Sequence, residues 1–110
     1  MIDQEELEAS ARAGAELLDR RDPGWWYPDA APAIDLGTLD INNHYRCVLG
    51  QRYGEYWTGI SILGLECVDE DSEPYGFTPP LGADNAEDRS NAARLTKVWK
   101  ELITARRATR

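Results

Sequence analysis

The stretch that most constrains how this chain folds is residues 22–43. "DPGWWYPDAAPAIDLGTLDINN" carries three prolines, two glycines and no sustained period, so no long helix or strand runs through it. It also carries Trp25, Trp26, Tyr27, Ile34, Leu36, Leu39 and Ile41. A connection that apolar is not a flexible linker. It must lie across the core of whatever flanks it. The alternation at Ile34/Leu36 and Leu39/Ile41 also fits two short strands. The reading taken here is an extended strap.

The flanks are helical. Leu7, Ala11, Gly14, Ala15 and Leu18 share one face, while Glu8, Arg12, Glu16 and Arg20 alternate in sign at i, i+4 on the other. This predicts a helix over about 3–21. Asp3 serves as N-cap with Glu6 three residues on, and Pro23-Gly24 stops the helix near Asp22. The stripe is narrow and alanine-rich, which predicts close approach by a neighbour. At the other end, Leu95, Val98, Trp99, Leu102 and Ile103 fall within about 140° of helical arc. That predicts a helix over 85–107, capped by Asp84 or Asn85, with Glu87 and Asp88 in its first turn and Arg106, Arg107 and Arg110 toward its last.

Between them, "CVLGQRYGEYWTGISILGL" (47–65) requires a decision on period. Tyr45, Val48, Leu49, Tyr56, Ile60 and Leu63 fit a helical stripe, yet the aromatic and β-branched residues also alternate. Two short helices are predicted, over 43–53 and 55–65, the first capped by Asn42 or Asn43 and ended by Gly54. A hairpin turning at Tyr53-Gly54-Glu55 is the competing reading. Gly50, Gly54, Gly59 and Gly64 form neither G-x-x-x-x-G-K-[ST] nor G-x-G-x-x-G, so they are read as sites of close packing. The fold class expected is therefore mainly α: a small single-domain helical bundle over 1–110, with an apolar irregular strap between the first and central helices.

Charge narrows the function classes. Residues 1–83 carry sixteen acids and five bases, a net −11, and residues 84–110 carry +3. Such a body repels phosphate backbones, which argues against direct nucleic-acid binding. A DNA mimic would need acids in two regular rows, and the alternating charges of the first helix do not form them. No apolar run reaches the roughly 20 residues of a membrane span. The N-terminus is acidic where a secretion signal would be basic, so a soluble cytoplasmic protein is expected.

Chemistry-bearing motifs are few. With His44 the sole histidine and no C-x-x-C, neither a metal nor a cofactor is expected. In a helix starting near 43, His44 and Cys47 fall one turn apart, with Asp40 before it, and could be a base, a nucleophile and an orienter. But no identifiable electropositive setting activates the thiol, so both Cys47 and Cys67 are read as small buried hydrophobes. "DEDSE" (69–73) begins like a calcium loop, but Pro74 and Pro80 stand where its glycine and bidentate glutamate belong. The aromatic residues are the stronger signal. Trp25 and Trp26 cannot both easily point inward, and Trp26, Tyr27 and Trp57 are candidate anchors for a protein partner. Asp69, Glu70 and Asp71 would steer its approach. In a small-ligand alternative, Tyr53 and Tyr56 would stack a nucleobase while Arg46 and Arg52 converge on its phosphate.

The string "LLDRRDPGWW…AIDLGTLDINNHYRCVLGQRYGEYWTG" resembles a group of small proteins of actinobacterial phages and prophages. The pattern of that group is L-D-x-x-x-P-G-W, I-D-L-x-x-L-D-[ILV], C-V-L-G-Q-x-[YF]-G-x-[YW] and a terminal helix with a Trp. The matching positions are Leu18, Asp19, Pro23, Gly24, Trp25, Ile34, Asp35, Leu36, Leu39, Asp40, Cys47, Val48, Leu49, Gly50, Gln51, Tyr53, Gly54, Tyr56 and Trp99. The resemblance covers about residues 17–103 and brings no catalytic residues with it. The group is functionally unassigned, so the resemblance implies a context, a small accessory protein made by a phage or prophage in a bacterial cytoplasm. That it is not an enzyme is expected instead from the single histidine and the lack of a catalytic or cofactor motif.

Overall fold

The structure is a computed structural model and describes residues 3–65, 73–80 and 82–109. Among the described residues the α-helices are α1 (Gln4–Arg21), α2 (Val48–Tyr53), α3 (Tyr56–Ile62) and α4 (Asn85–Ala108). A 3-10 turn at Glu73–Tyr75 precedes α4. No strand occurs among the described residues, so the hairpin reading of 55–63 and the paired strands at 34–41 both give way to helix and strap. The radius of gyration, 12.9 Å, matches the roughly 13 Å of a compact domain of this length.

α1 packs against both α4 and the 3-10 turn. The close approach anticipated for α1 occurs at Gly14. A Cβ there would collide with the Tyr75 carbonyl oxygen and press on the Phe77 and Trp99 rings at 3.1 Å. Gly76 lies with its backbone against Ala11, and its carbonyl accepts the Trp99 indole N–H at 2.7 Å. Tyr75, Phe77, Trp99 and Trp25 then form a continuous series of ring contacts, with centroids 6.2, 5.8 and 5.9 Å apart. Trp25 is fully buried and Trp26 is half-buried against the core, so neither is a free surface ring.

The strap lies across this core, burying Trp25, Ile34, Leu39 and Ile41. With no sheet to join, much of its backbone finds partners in side chains from the helices. Arg107 of α4 donates from Nε to the Trp26 carbonyl (2.9 Å) and from Nη2 to the Ile34 carbonyl (2.7 Å). Arg52 of α2 donates to the Pro32 carbonyl (2.8 Å) and pairs with Asp22 through Nε and Nη2 (2.7 and 3.0 Å). Gln51 takes Asp35 from both sides, accepting its N–H (2.6 Å) and donating to its carbonyl (3.1 Å). At the end of α1, Asp19 accepts the Trp25 indole N–H (2.9 Å) and both contacts of Arg106 (2.7 and 2.8 Å). The Arg106 guanidinium also lies 5.8 Å from the Trp25 ring centre.

Three local expectations need correction. The helix predicted from residue 43 starts only at Val48. Asn43 does cap, but it caps a turn: its Oδ1 accepts the N–H groups of Tyr45 and Arg46, while Asp40 Oδ1 accepts that of Asn42. Such side-chain bonds give the backbone an alternative to helix. Cys47 is the N-cap of α2, its Sγ accepting the Gly50 N–H at 3.2 Å. Tyr45 therefore leaves the buried stripe and stands 68% exposed. Asp3 precedes α1 without a side-chain capping bond, so the box with Glu6 is absent. Of the central glycines, Gly50 and Gly59 do serve close packing, against the 44–45 backbone and the Leu49 and Tyr53 side chains. Gly54 and Gly64 instead face open space at positive φ (98° and 75°), and Gly54 ends α2 as anticipated. Asp84 caps α4 as anticipated, accepting the Glu87 N–H at 2.8 Å.

Candidate binding surface

Three aromatic rings meet where the 40–46 turn abuts α3. The Tyr56 N–H bonds to the His44 carbonyl at 2.8 Å, which joins the two segments. The His44 imidazole then lies parallel to the Tyr56 ring, 5.0 Å away at 18°. Trp57 stands nearly perpendicular to both, at 80° and 5.8 Å from His44 and at 82° and 4.9 Å from Tyr56. Consecutive positions on a helix point about 100° apart. Tyr56 accordingly turns inward at 2% exposure while Trp57 turns out at 37%. Trp57 is thus an exposed ring on a fixed foundation, and Tyr45, next to His44 in sequence, is a second exposed ring.

The other predicted anchors sit differently. Trp26 and Tyr27 are half-buried and pack edge to face against each other, 4.6 Å between centroids. Asp69, Glu70, Asp71 and Cys67 lie outside the described residues, as does most of the acidic run in which the calcium-loop pattern begins.

The nucleotide arrangement does not assemble. Tyr56 is buried, and the Tyr53 hydroxyl donates to Asp22 at 2.8 Å, with burial first and that bond second pushing its ionisation well above the ordinary phenol range. The Arg52 guanidinium is committed to Asp22 and to the strap. It holds the Asp22 carboxyl below its ordinary range, and its own proton is held more tightly in return. Only Arg46 of that set stands exposed.

Nor do Asp40, His44 and Cys47 form a catalytic group. The Cys47 thiol is buried, lies near the His44 backbone carbonyl (3.9 Å), and accepts from Gly50, while the imidazole is engaged with Tyr56 and Trp57. Burial pushes that thiol up from its ordinary pKa, which disfavours thiolate. Among the described residues, no three His, Cys, Asp or Glu side chains are grouped as a metal ion requires. No described helix is long and apolar enough to cross a membrane.

Comparison with protein-family models, with curated proteins and with solved structures gave no match.

Sequence reasoning named Trp57 but missed the rest of its surface. The helical stripe puts Tyr45 in the core, and His44 has no role at a surface in that reading. The usable signal was "DINNH": two Asx residues able to hold a turn in front of the helix and so leave Tyr45 outside it.

Proposed function

We propose that this chain is a non-catalytic accessory protein of phage or prophage origin that acts by binding a host or phage protein, with the Tyr45–His44–Trp57 surface as its anchor. The exposure of Trp57 and Tyr45 on a buttressed corner carries the reading. Large aromatic side chains contribute heavily to interface energy, and rings already held in place lose little conformational freedom on binding. The resemblance over residues 17–103 supports the phage context, and the acidity of residues 1–83 favours a basic partner surface.

The test is affinity capture from actinobacterial lysate with mass spectrometry of what is retained, run in parallel with Trp57→Ala and Tyr45→Ala. A stoichiometric protein lost from both variants, each still folded by circular dichroism, is the expected result. Retention of that protein by both variants, or capture of a nucleotide with no protein, sinks the proposal. Trp26→Ala is the comparison variant: it removes a half-buried ring, so its expected effect falls on stability.

A further inference from the structure

Resting on that protein-binding reading, we infer that the corner between His44 and Trp57 receives a cationic side chain, lysine or arginine, from the partner. Three observations bear on what the corner accepts. The first is the ring arrangement. His44 and Trp57 meet edge to face at 80°, and buried Tyr56 contacts both rings, so an exposed indole and an exposed imidazole are held at an angle to one another. Cations are attracted to aromatic faces, tryptophan's most strongly. The second is vacancy within the chain's own chemistry. Among the described residues the one cation–π contact is Arg106 over Trp25, at the α1–α4 junction, and exposed Arg46 makes none with these rings.

The third is charge. Three carboxylates belong to the segments that build the corner. Asp40 is bonded through its N–H to the Arg46 carbonyl, closing the turn that carries His44 and Tyr45. Glu55 immediately precedes Tyr56 and Trp57 and caps α3. Asp35 is held against the same turn by Gln51, whose amide bonds both the Asp35 and the Arg46 carbonyls. Arg46 is the one opposing formal charge on these segments. An anionic side chain would meet the net negative charge of these segments unfavourably, and an apolar one would gain nothing from it. A lysine or arginine gains from both the exposed indole and that charge.

The experiment is an NMR titration of the 15N-labelled full chain at pH 8. The probes are a capped hexapeptide with three lysines, its norleucine counterpart and its glutamate counterpart. Expected are shifts of the Trp57 indole N–H and of the His44 and Tyr45 amides with the lysine peptide. Affinity should be about two- to five-fold weaker for norleucine, and weaker by a similar factor for Trp57→Leu, with recovery in Trp57→Phe. Equal binding of the norleucine peptide overturns the cation assignment. So do shifts spread along Glu5, Glu8 and Glu16 of α1 with the Trp57 indole unmoved. In either case, a partner captured by wild type and lost from Trp57→Ala leaves the protein-binding reading standing. A partner retained by Trp57→Ala removes that reading whatever the peptides do.

Discussion

The side-chain amide of Gln51 pairs with the backbone of Asp35 as a neighbouring strand would, accepting its N–H at 2.6 Å and donating to its carbonyl at 3.1 Å. The same Nε2 also donates to the Arg46 carbonyl at 2.9 Å, so one residue of a six-residue helix ties down both the strap and the turn that bears the aromatic corner. Gln51→Ala should cost about 1 kcal/mol, because it removes three exposed hydrogen bonds and leaves the Asp35 N–H to water, while the Asp35 and Arg46 carbonyls keep the Thr38 and Asp40 N–H groups. In a domain of this size that lowers the melting temperature by roughly 4–8 °C per kcal/mol. The Tyr45 amide should lose hydrogen-exchange protection in step. A variant with unchanged melting temperature would show that water replaces these bonds fully.

Gly14 sits mid-helix, where alanine is ordinarily better by about 1 kcal/mol. Here the added Cβ would strike the Tyr75 carbonyl and crowd Phe77 and Trp99. Gly14→Ala is therefore expected to destabilise by about 1–3 kcal/mol, the usual range for overpacking. Gly54→Ala separates steric crowding from backbone conformation, since nothing lies within 4 Å of its Cβ position and only the positive φ opposes it. Its cost should be about 1–2 kcal/mol. Urea denaturation of the two variants reads both numbers.

Asp22 carries the acid sensitivity of the strap. Its hydrogen bond from Arg52, then that from Tyr53, holds its carboxyl below the ordinary value of 3.8 against the opposing effect of burial. A depressed carboxylate stabilises the fold above the unfolded pKa, and that stability is lost as pH falls through the lower folded value. Wild type and Asp22→Asn should therefore differ most at pH 6–7, and their stabilities should converge as the pH falls below about 4. Denaturation midpoints measured from pH 7 to pH 2.5 check this. A constant gap across that range would show that the carboxylate charge contributes nothing.

Much of the architecture was legible because it depends on local sequence. α1 and α4 announce themselves by 3.6-residue spacing, and the strap by apolar residues that no periodic element could carry. What holds the strap was not legible. Arg107 reaches Ile34 across 73 residues and Arg106 reaches Asp19 across 87, and no local pattern separates an arginine that folds back from one that complements a helix dipole. The start of α2 was misplaced for a different reason: Asp40 and Asn43 satisfy the backbone locally, and a cysteine takes the capping position usually held by serine, threonine or aspartate. The candidate surface depends on that misplacement. Once α2 starts at Val48, Tyr45 is freed and His44 can lie on Tyr56.

That capping role makes a chemical prediction for Cys47. Its sulfur is buried and accepts from Gly50, and burial raises its pKa. A thiol so placed supplies little thiolate and little access, the two requirements for alkylation. In a Cys67→Ser background, iodoacetamide at pH 8 should modify the native protein slowly and the urea-unfolded chain rapidly. The native rate should follow the opening equilibrium rather than reagent access. Cys47→Ala should cost about 1 kcal/mol through loss of the cap, and Asn43, which still holds the preceding turn, should keep α2 in the same register. Rapid alkylation of the folded protein would contradict this and return Cys47 to consideration as a nucleophile.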